Sequence, residues 1–315
     1  MNKKKRVKEK NSVPVEEDVL KIYTDDSSTA QTFVEYQCLG NVEIDFPRLC
    51  ALMNITDIPA VLTKPATSST LEPDGSNPDE EQLQKNTTGF CSKPTLQVEL
   101  ETEDSLSAKS IKILGWPVDE QIVKVLNKMF PSMSKLQKLN FWQARLTDKM
   151  IMSLKDSISL SSNLRRVTLE GNPVPEHSYH LLVSDDSPLT HLSLRNNRIG
   201  DEGARLIGSA LSTPRSANEN LLSLNLAFNS IGDEGAAHIA KGLRLNRALL
   251  SLSLSNNQIG DSGAAHLAEV LGPFALTHEE VVVRRKLLLE KRSLYVSRQM
   301  VTHCPRHRAA LHRAP

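Results

Sequence analysis

Between Leu189 and Ile259 the chain writes one apolar pattern three times. The copies are Leu189-x-x-Leu192-x-Leu194-x-x-Asn197-x-Ile199, Leu221-x-x-Leu224-x-Leu226-x-x-Asn229-x-Ile231 and Leu249-x-x-Leu252-x-Leu254-x-x-Asn257-x-Ile259. Further back, Leu164-x-x-Val167-x-Leu169-x-x-Asn172-x-Val174 keeps the whole pattern. The copy starting at Leu136 has Ala144 in place of Asn, and the copy starting at Ala108 is weaker still. The repeats begin at 108, 136, 164, 189, 221 and 249, so the steps are 28, 28, 25, 32 and 28 residues. A fixed period of this size is the mark of one stacked supersecondary element. The short step contains Pro173 and Pro175, and the long one carries a polar insertion over 213–220.

Each repeat holds two periods. Alternation at its front predicts a strand, and apolar positions three and four apart at its back predict a helix. Ile207, Ala210 and Leu211 share such a helical face, as do Ile239, Ala240 and Leu243, and Leu267, Val270 and Leu271. One strand and one helix per repeat predict an α/β fold: a curved solenoid of about six repeats over 95–276. Its sheet is expected to be parallel and concave, with helices on the convex side. No repeat buries its Leu face alone, so neighbours supply the core.

The joint between strand and helix reads NNRIGDEGA, then FNSIGDEGA, then NNQIGDSGA. Acidic, glycine-flanked loops can hold metals or phosphates, but these acids fall one per repeat. A metal needs several ligands converging within about 2.0–2.6 Å. A structural reading accounts for each residue. Asn172, Asn197, Asn229 and Asn257 offer donor and acceptor to backbone groups left unpaired at the turn. Asp201, Asp233 and Asp261 sit where each helix begins and are expected to be its N-caps.

Outside the repeats the pattern weakens. Thr95–Thr102 alternates like a strand. Residues 1–62 read as a basic tail and a poorly ordered segment with scattered apolar patches, and 63–94 as a disordered linker rich in Pro, Ser, Thr and acid. Thr277-His-Glu-Glu280 is a capping box that predicts a terminal helix over 277–300, expected to cover the end of the solenoid. Residues 301–315 read as a disordered basic tail. The stretch 294–315 has neither repeat nor clear amphipathic period.

Composition narrows the function. The 315 residues carry a net charge of +1, which implies no chain-wide field for nucleic acid. Aromatics make up 4 %, so the core must be aliphatic. MNKKKRVKEK is followed by no apolar run, and no stretch is long and apolar enough for a membrane span, so a cytoplasmic protein is expected. His303, Cys304, His307 and His312 match no standard zinc spacing, and no P-loop or nucleophile–base pair is legible. No enzyme activity, cofactor or metal is expected.

These repeats resemble the ribonuclease-inhibitor type of leucine-rich repeat, whose repeats carry N-x-I/L-G-D-x-G-A. The resemblance covers roughly 108–272. It implies a leucine-rich-repeat solenoid that binds a protein partner as a scaffold. The alternative is a regulatory module, an inhibitor or GTPase-activator-like, acting on a partner enzyme. At finer grain, Leu192–Ala204 and Ala264–Thr277 resemble a member of that type associated with ciliated and sperm cells. That implies a ciliary or flagellar axoneme as the site of action. The concave positions expected to meet a partner are Lys138, Asn140, Trp142, Arg166, Glu170, His191 and Arg195. Trp142, flanked by Arg166 and Arg195, is the expected anchor, because Trp and Arg dominate interface hot spots.

Overall fold

In the computed structural model every repeat strand takes its place in one sheet. The structure describes residues 36–65, 94–212 and 218–302. The chain divides into Met1–Gln37, of which only Tyr36 and Gln37 are described, and Cys38–Pro315, which holds every element below. The predicted basic tail, most of the predicted linker, and 303–315 with its His and Cys residues lie outside the described residues.

Strands β3 (Ala108–Leu114), β4 (Lys138–Trp142), β5 (Arg166–Thr168), β6 (His191–Ser193), β7 (Ser223–Asn225) and β8 (Ser251–Ser253) are the fronts of the six repeats. They are all parallel and in register, so that Ile111, Leu139, Val167, Leu192, Leu224 and Leu252 form one row. The first five of these are at most 2 % exposed. The period of two puts that row into the core and its neighbours onto the concave face.

The leading edge differs from the expected all-parallel sheet. Strand β2 (Thr95–Leu100) runs antiparallel to β3, and β1 (Ala60–Pro65) runs parallel to β2. The reason is the length of the β2–β3 connection. A parallel crossover needs a dozen or more residues, whereas Glu101 N–H already donates to Ser107 O at 2.8 Å. The Ser107 hydroxyl tightens this turn by donating to the carbonyls of Thr102 and Asp104.

Residues 42–52 and 60–65 correct the expectation of poor order before residue 95, since they form helix α1 (Val42–Leu52) and β1. The Asn41 side chain caps α1 by accepting from Glu43 N–H at 3.0 Å. Asp45 folds back to accept from Leu39 and Gly40 N–H. Val42, Phe46, Leu49 and Cys50 are all buried. Burial pushes the Cys50 thiol up to about 11, with Asp119 adding to the shift. Pro47 inside this short helix masked it in the sequence.

Five helices follow: α2 (Glu120–Met129), α3 (Asp148–Leu160), α4 (Asp201–Leu211), α5 (Asp233–Leu243) and α6 (Asp261–Leu271). The third repeat has only a 3-10 turn, Ser178–Leu182. Its 25-residue length and its two prolines leave no room for an α-helix. Tyr179 fills the space, fully buried, and its hydroxyl donates to Asn172 O.

The last repeat is open. Leu271 is 83 % exposed, although its counterpart Leu211 is 0 %. Helix α7 (His278–Thr302) begins as predicted at the Thr277–Glu280 capping box. Its first turn is tied down by Arg244, which donates to Glu280 at 2.6 Å and stacks over Phe274 at 4.3 Å. The helix then leaves the end of the solenoid uncovered, with Val282, Leu288 and Leu289 exposed as well. This corrects the expected cover. Val281–Val283 and Leu287–Leu289 are consecutive runs, so they form no single stripe to lay across α6.

Candidate protein-binding face

Register fixes which concave side chains meet. Lys138, Arg166 and His191 stand side by side on β4, β5 and β6. Asn140 lies in the next row, beside Lys112 and Thr168. Trp142 ends β4, and the backbone ladder continues from it through Glu170 and Arg195, since Gln143 N–H donates to Glu170 O and Gly171 N–H to Arg195 O. The expected Trp142–Arg166–Arg195 cluster is therefore not assembled. Arg166 pairs with Lys138 at the far end of β4, and the Arg195 guanidinium lies 4.2 Å from the centre of the Phe228 ring. Trp142 is 40 % exposed and leans over Gly115. Glu170 accepts from the Ser193 hydroxyl at 2.6 Å.

The first row is electropositive. Burial lowers the Lys138 pKa, and Arg166 lowers it further, partly offset by Glu99. Burial and then Arg166 hold the His191 imidazole below its ordinary 6.5. With a folded-state pKa below the unfolded one, the unfolded chain binds more protons between the two values. Stability from this group is therefore lost as pH falls through 6.5 towards the folded value. An NMR titration of the His191 ring protons is expected to give a midpoint below 6.5, and Arg166→Gln should raise it. An unmoved midpoint would break the link between the two residues. Beside this row, Asn140 Oδ1 and Ser110 Oγ are buried polar atoms without hydrogen-bond partners. The last two repeats offer only Ser223, Asn225, Ser251 and Ser253 to the same face.

The joints lie at the edge of this face. Asn229 Oδ1 accepts from Asn197 and Ile199 N–H, and its Nδ2 donates to Leu194 and Leu226 carbonyls. Asn197 accepts from Asn172 N–H, Asn172 from Ala144 N–H, and Asn257 from Ile231 N–H. Each Asn thus reaches back one repeat. The aspartates correct the N-cap expectation. The cap positions are Gly200, Gly232 and Gly260, and each Asp is the first helical residue. Asp201 reaches forward instead, accepting from Gly232 and Gly235 N–H at 2.7 and 2.9 Å. Asp233 accepts from Gly260 N–H at 2.6 Å, while Asp261, in the last repeat, is exposed. The acid caps the helix of the following repeat. The glycines there leave room for it, since a Cβ on Gly235 would lie 2.5 Å from Asp201 Oδ1. Asp148 does the same for Glu176 and Ser178, a forward cap that the repeat pattern did not reveal.

Among the described residues no group of three or more His, Cys, Asp or Glu is placed to hold a metal ion. No described helix is long and apolar enough to cross a membrane.

One family model agrees with this architecture. The Leucine Rich repeat family model matches residues 186–208, 217–240 and 245–268, one match for each of the last three repeats. Among solved structures, the chain is similar to actin-binding site 2 of leiomodin-1, with 16 % identity and a TM-score of 0.30 over 57 % of this chain and 95 % of that one. It is also similar to an internalin from Listeria monocytogenes, with 18 % identity and a TM-score of 0.33 over 56 % of this chain and 52 % of that one. The chain carries leucine-rich repeats and folds as an α/β leucine-rich-repeat solenoid.

Proposed function

We propose that this protein is a non-enzymatic interaction scaffold that binds a protein partner through the concave face of its first four repeats. One observation carries the reading: the face carries an electropositive row of Lys138, Arg166 and His191 at one end and an exposed Trp142 at the other end of β4, while the last two repeats present Ser and Asn there. A large aromatic left in water at the edge of a rigid sheet is the kind of group that anchors interfaces. Trp142→Ala should weaken capture of a partner by roughly 2 kcal/mol, or about 30-fold in Kd. Unchanged capture in a pull-down would remove Trp142 as the anchor.

The finer reading concerns place. Leu192–Ala204 and Ala264–Thr277 resemble leucine-rich repeat-containing protein 71, which supports a cytoplasmic scaffold of cilia or sperm flagella. Proximity labelling in ciliated cells should then enrich axonemal proteins. Enrichment of nuclear factors instead would sink that placement.

A further inference from the structure

A cleft of about 420 Å³ runs along the rim of the sheet, beyond the carboxy-terminal ends of the first four repeat strands. Two positions in each repeat line it. The first and third repeats place Gly115 with Pro117 and Gly171 with Pro173 there. The second and fourth place Gln143 with Arg145 and Asn196 with Arg198. Small and large pairs therefore alternate. The first of the two positions has a left-handed backbone in all four, with φ of 74°, 49°, 69° and 58° at Gly115, Gln143, Gly171 and Asn196, whereas at the second only Arg145 and Arg198 do, at 53° and 56°. These first positions thus project from one edge, and Gly171 leaves a depression between Gln143 and Asn196. Further along, Phe228 with Ser230 breaks the alternation and ends the cleft.

Its chemistry is one-sided. Arg145 and Arg198 are exposed, no acidic residue lines the cleft, and neither guanidinium forms an ion pair among the described residues. The two arginines sit two strands apart, which is about 10 Å at the usual strand spacing. Gln143 and Asn196 add carboxamides beside them, each able to donate and accept. The pyrrolidine ring of Pro173 gives apolar surface between the two arginines, and that of Pro117 flanks Arg145 on the outer side.

We propose that this cleft binds an acidic peptide segment of a partner, extended and carrying two carboxylates three residues apart. A polyproline-II chain returns to the same face every three residues and advances about 9 Å in doing so. That matches the step between Arg145 and Arg198. Each guanidinium offers a planar fork to one carboxylate, while the carboxamides of Gln143 and Asn196 bond the peptide backbone between them. The electropositive row of Lys138 and Arg166 on the same repeats adds a favourable long-range field. The site stands on its own lining and does not depend on Trp142 as the concave anchor.

The test uses the full chain and a fluorescein-labelled Pro-Glu-Pro-Pro-Glu-Pro peptide, with its Gln-for-Glu counterpart as control. Fluorescence anisotropy should show the Glu peptide binding at least about tenfold tighter, with affinity falling as salt rises. The double variant Arg145→Gln/Arg198→Gln should abolish that preference and keep the wild-type melting temperature, because both side chains are exposed. Lys241→Gln, an exposed charge on α5, should leave it intact. Equal binding of the two peptides would overturn the proposal. So would an equal loss from Lys241→Gln, which would mean that only the general charge is felt.

Discussion

Asn229→Ala is expected to destabilise the solenoid by about 3 kcal/mol. Asn229 is 8 % exposed and serves two repeats at once. Truncation strips the acceptor from two backbone N–H groups, Asn197 at 2.9 Å and Ile199 at 3.0 Å. It also removes the donor that meets Leu194 and Leu226 carbonyls. An unsatisfied buried donor costs about 1–3 kcal/mol, and the tight turn hinders water from replacing the carboxamide. Asn257 gives a graded comparison. It accepts from Ile231 N–H alone and lies in the open last repeat, so Asn257→Ala should cost only about 1 kcal/mol. Urea unfolding of both variants checks the order. Equal losses would mean that the backbone bonds are not what the asparagines contribute.

That joint was legible in the sequence because its partners recur with the period of the repeat. The apolar positions of the first five repeats were legible for the same reason. What failed to show were contacts whose two ends belong to different repeats and different residue types. Asp201 looks like the cap of its own helix, since an acid at a helix start is ordinarily read locally. Its bonds to Gly232 and Gly235 appear only once α4 and α5 lie side by side. The reversed strand β2 follows from the short turn at 101–107, whereas the expectation of a uniform sheet came from the repeats that follow it. Among the concave residues, the sequence placed Lys138, Arg166 and His191 correctly on successive strands. It joined Trp142 to Arg166 wrongly, because flanking in a list of repeats ignores the length of the strand between them. The rim cleft went unseen for a related reason. The alternation of Gly-x-Pro with amide-x-Arg is plain in the sequence, but it means nothing until the four turns are superimposed.

Gly242→Ala tests how closely those helices meet, and its expected sign opposes helix propensity. Within an exposed helix, alanine in place of glycine stabilises by about 1 kcal/mol. Here a Cβ on Gly242 would lie 2.1 Å from the carbonyl oxygen of Gly208 on α4, and one on Gly208 would lie 2.3 Å from the carbonyl oxygen of His238 on α5. Both obstacles are backbone, so no side chain can swing aside. The helices would have to separate, loosening Ala204 and Ala236, both at 0 % exposure, and the bond from the Ser212 hydroxyl to Gly242 O at 2.6 Å. Overpacking of this kind costs about 1–3 kcal/mol and occasionally more. With backbone on both sides, a net loss of about 3 kcal/mol is expected. Gly200→Ala supplies the contrast. Its nearest obstacle would be Ser230 O at 4.0 Å, and its φ of −99° suits any residue, so stability should change by less than about 0.5 kcal/mol. If thermal unfolding found Gly242→Ala as stable as Gly200→Ala, the backbone-to-backbone contact of α4 with α5 would be refuted, and with it the close approach that lets Asp201 reach the next helix.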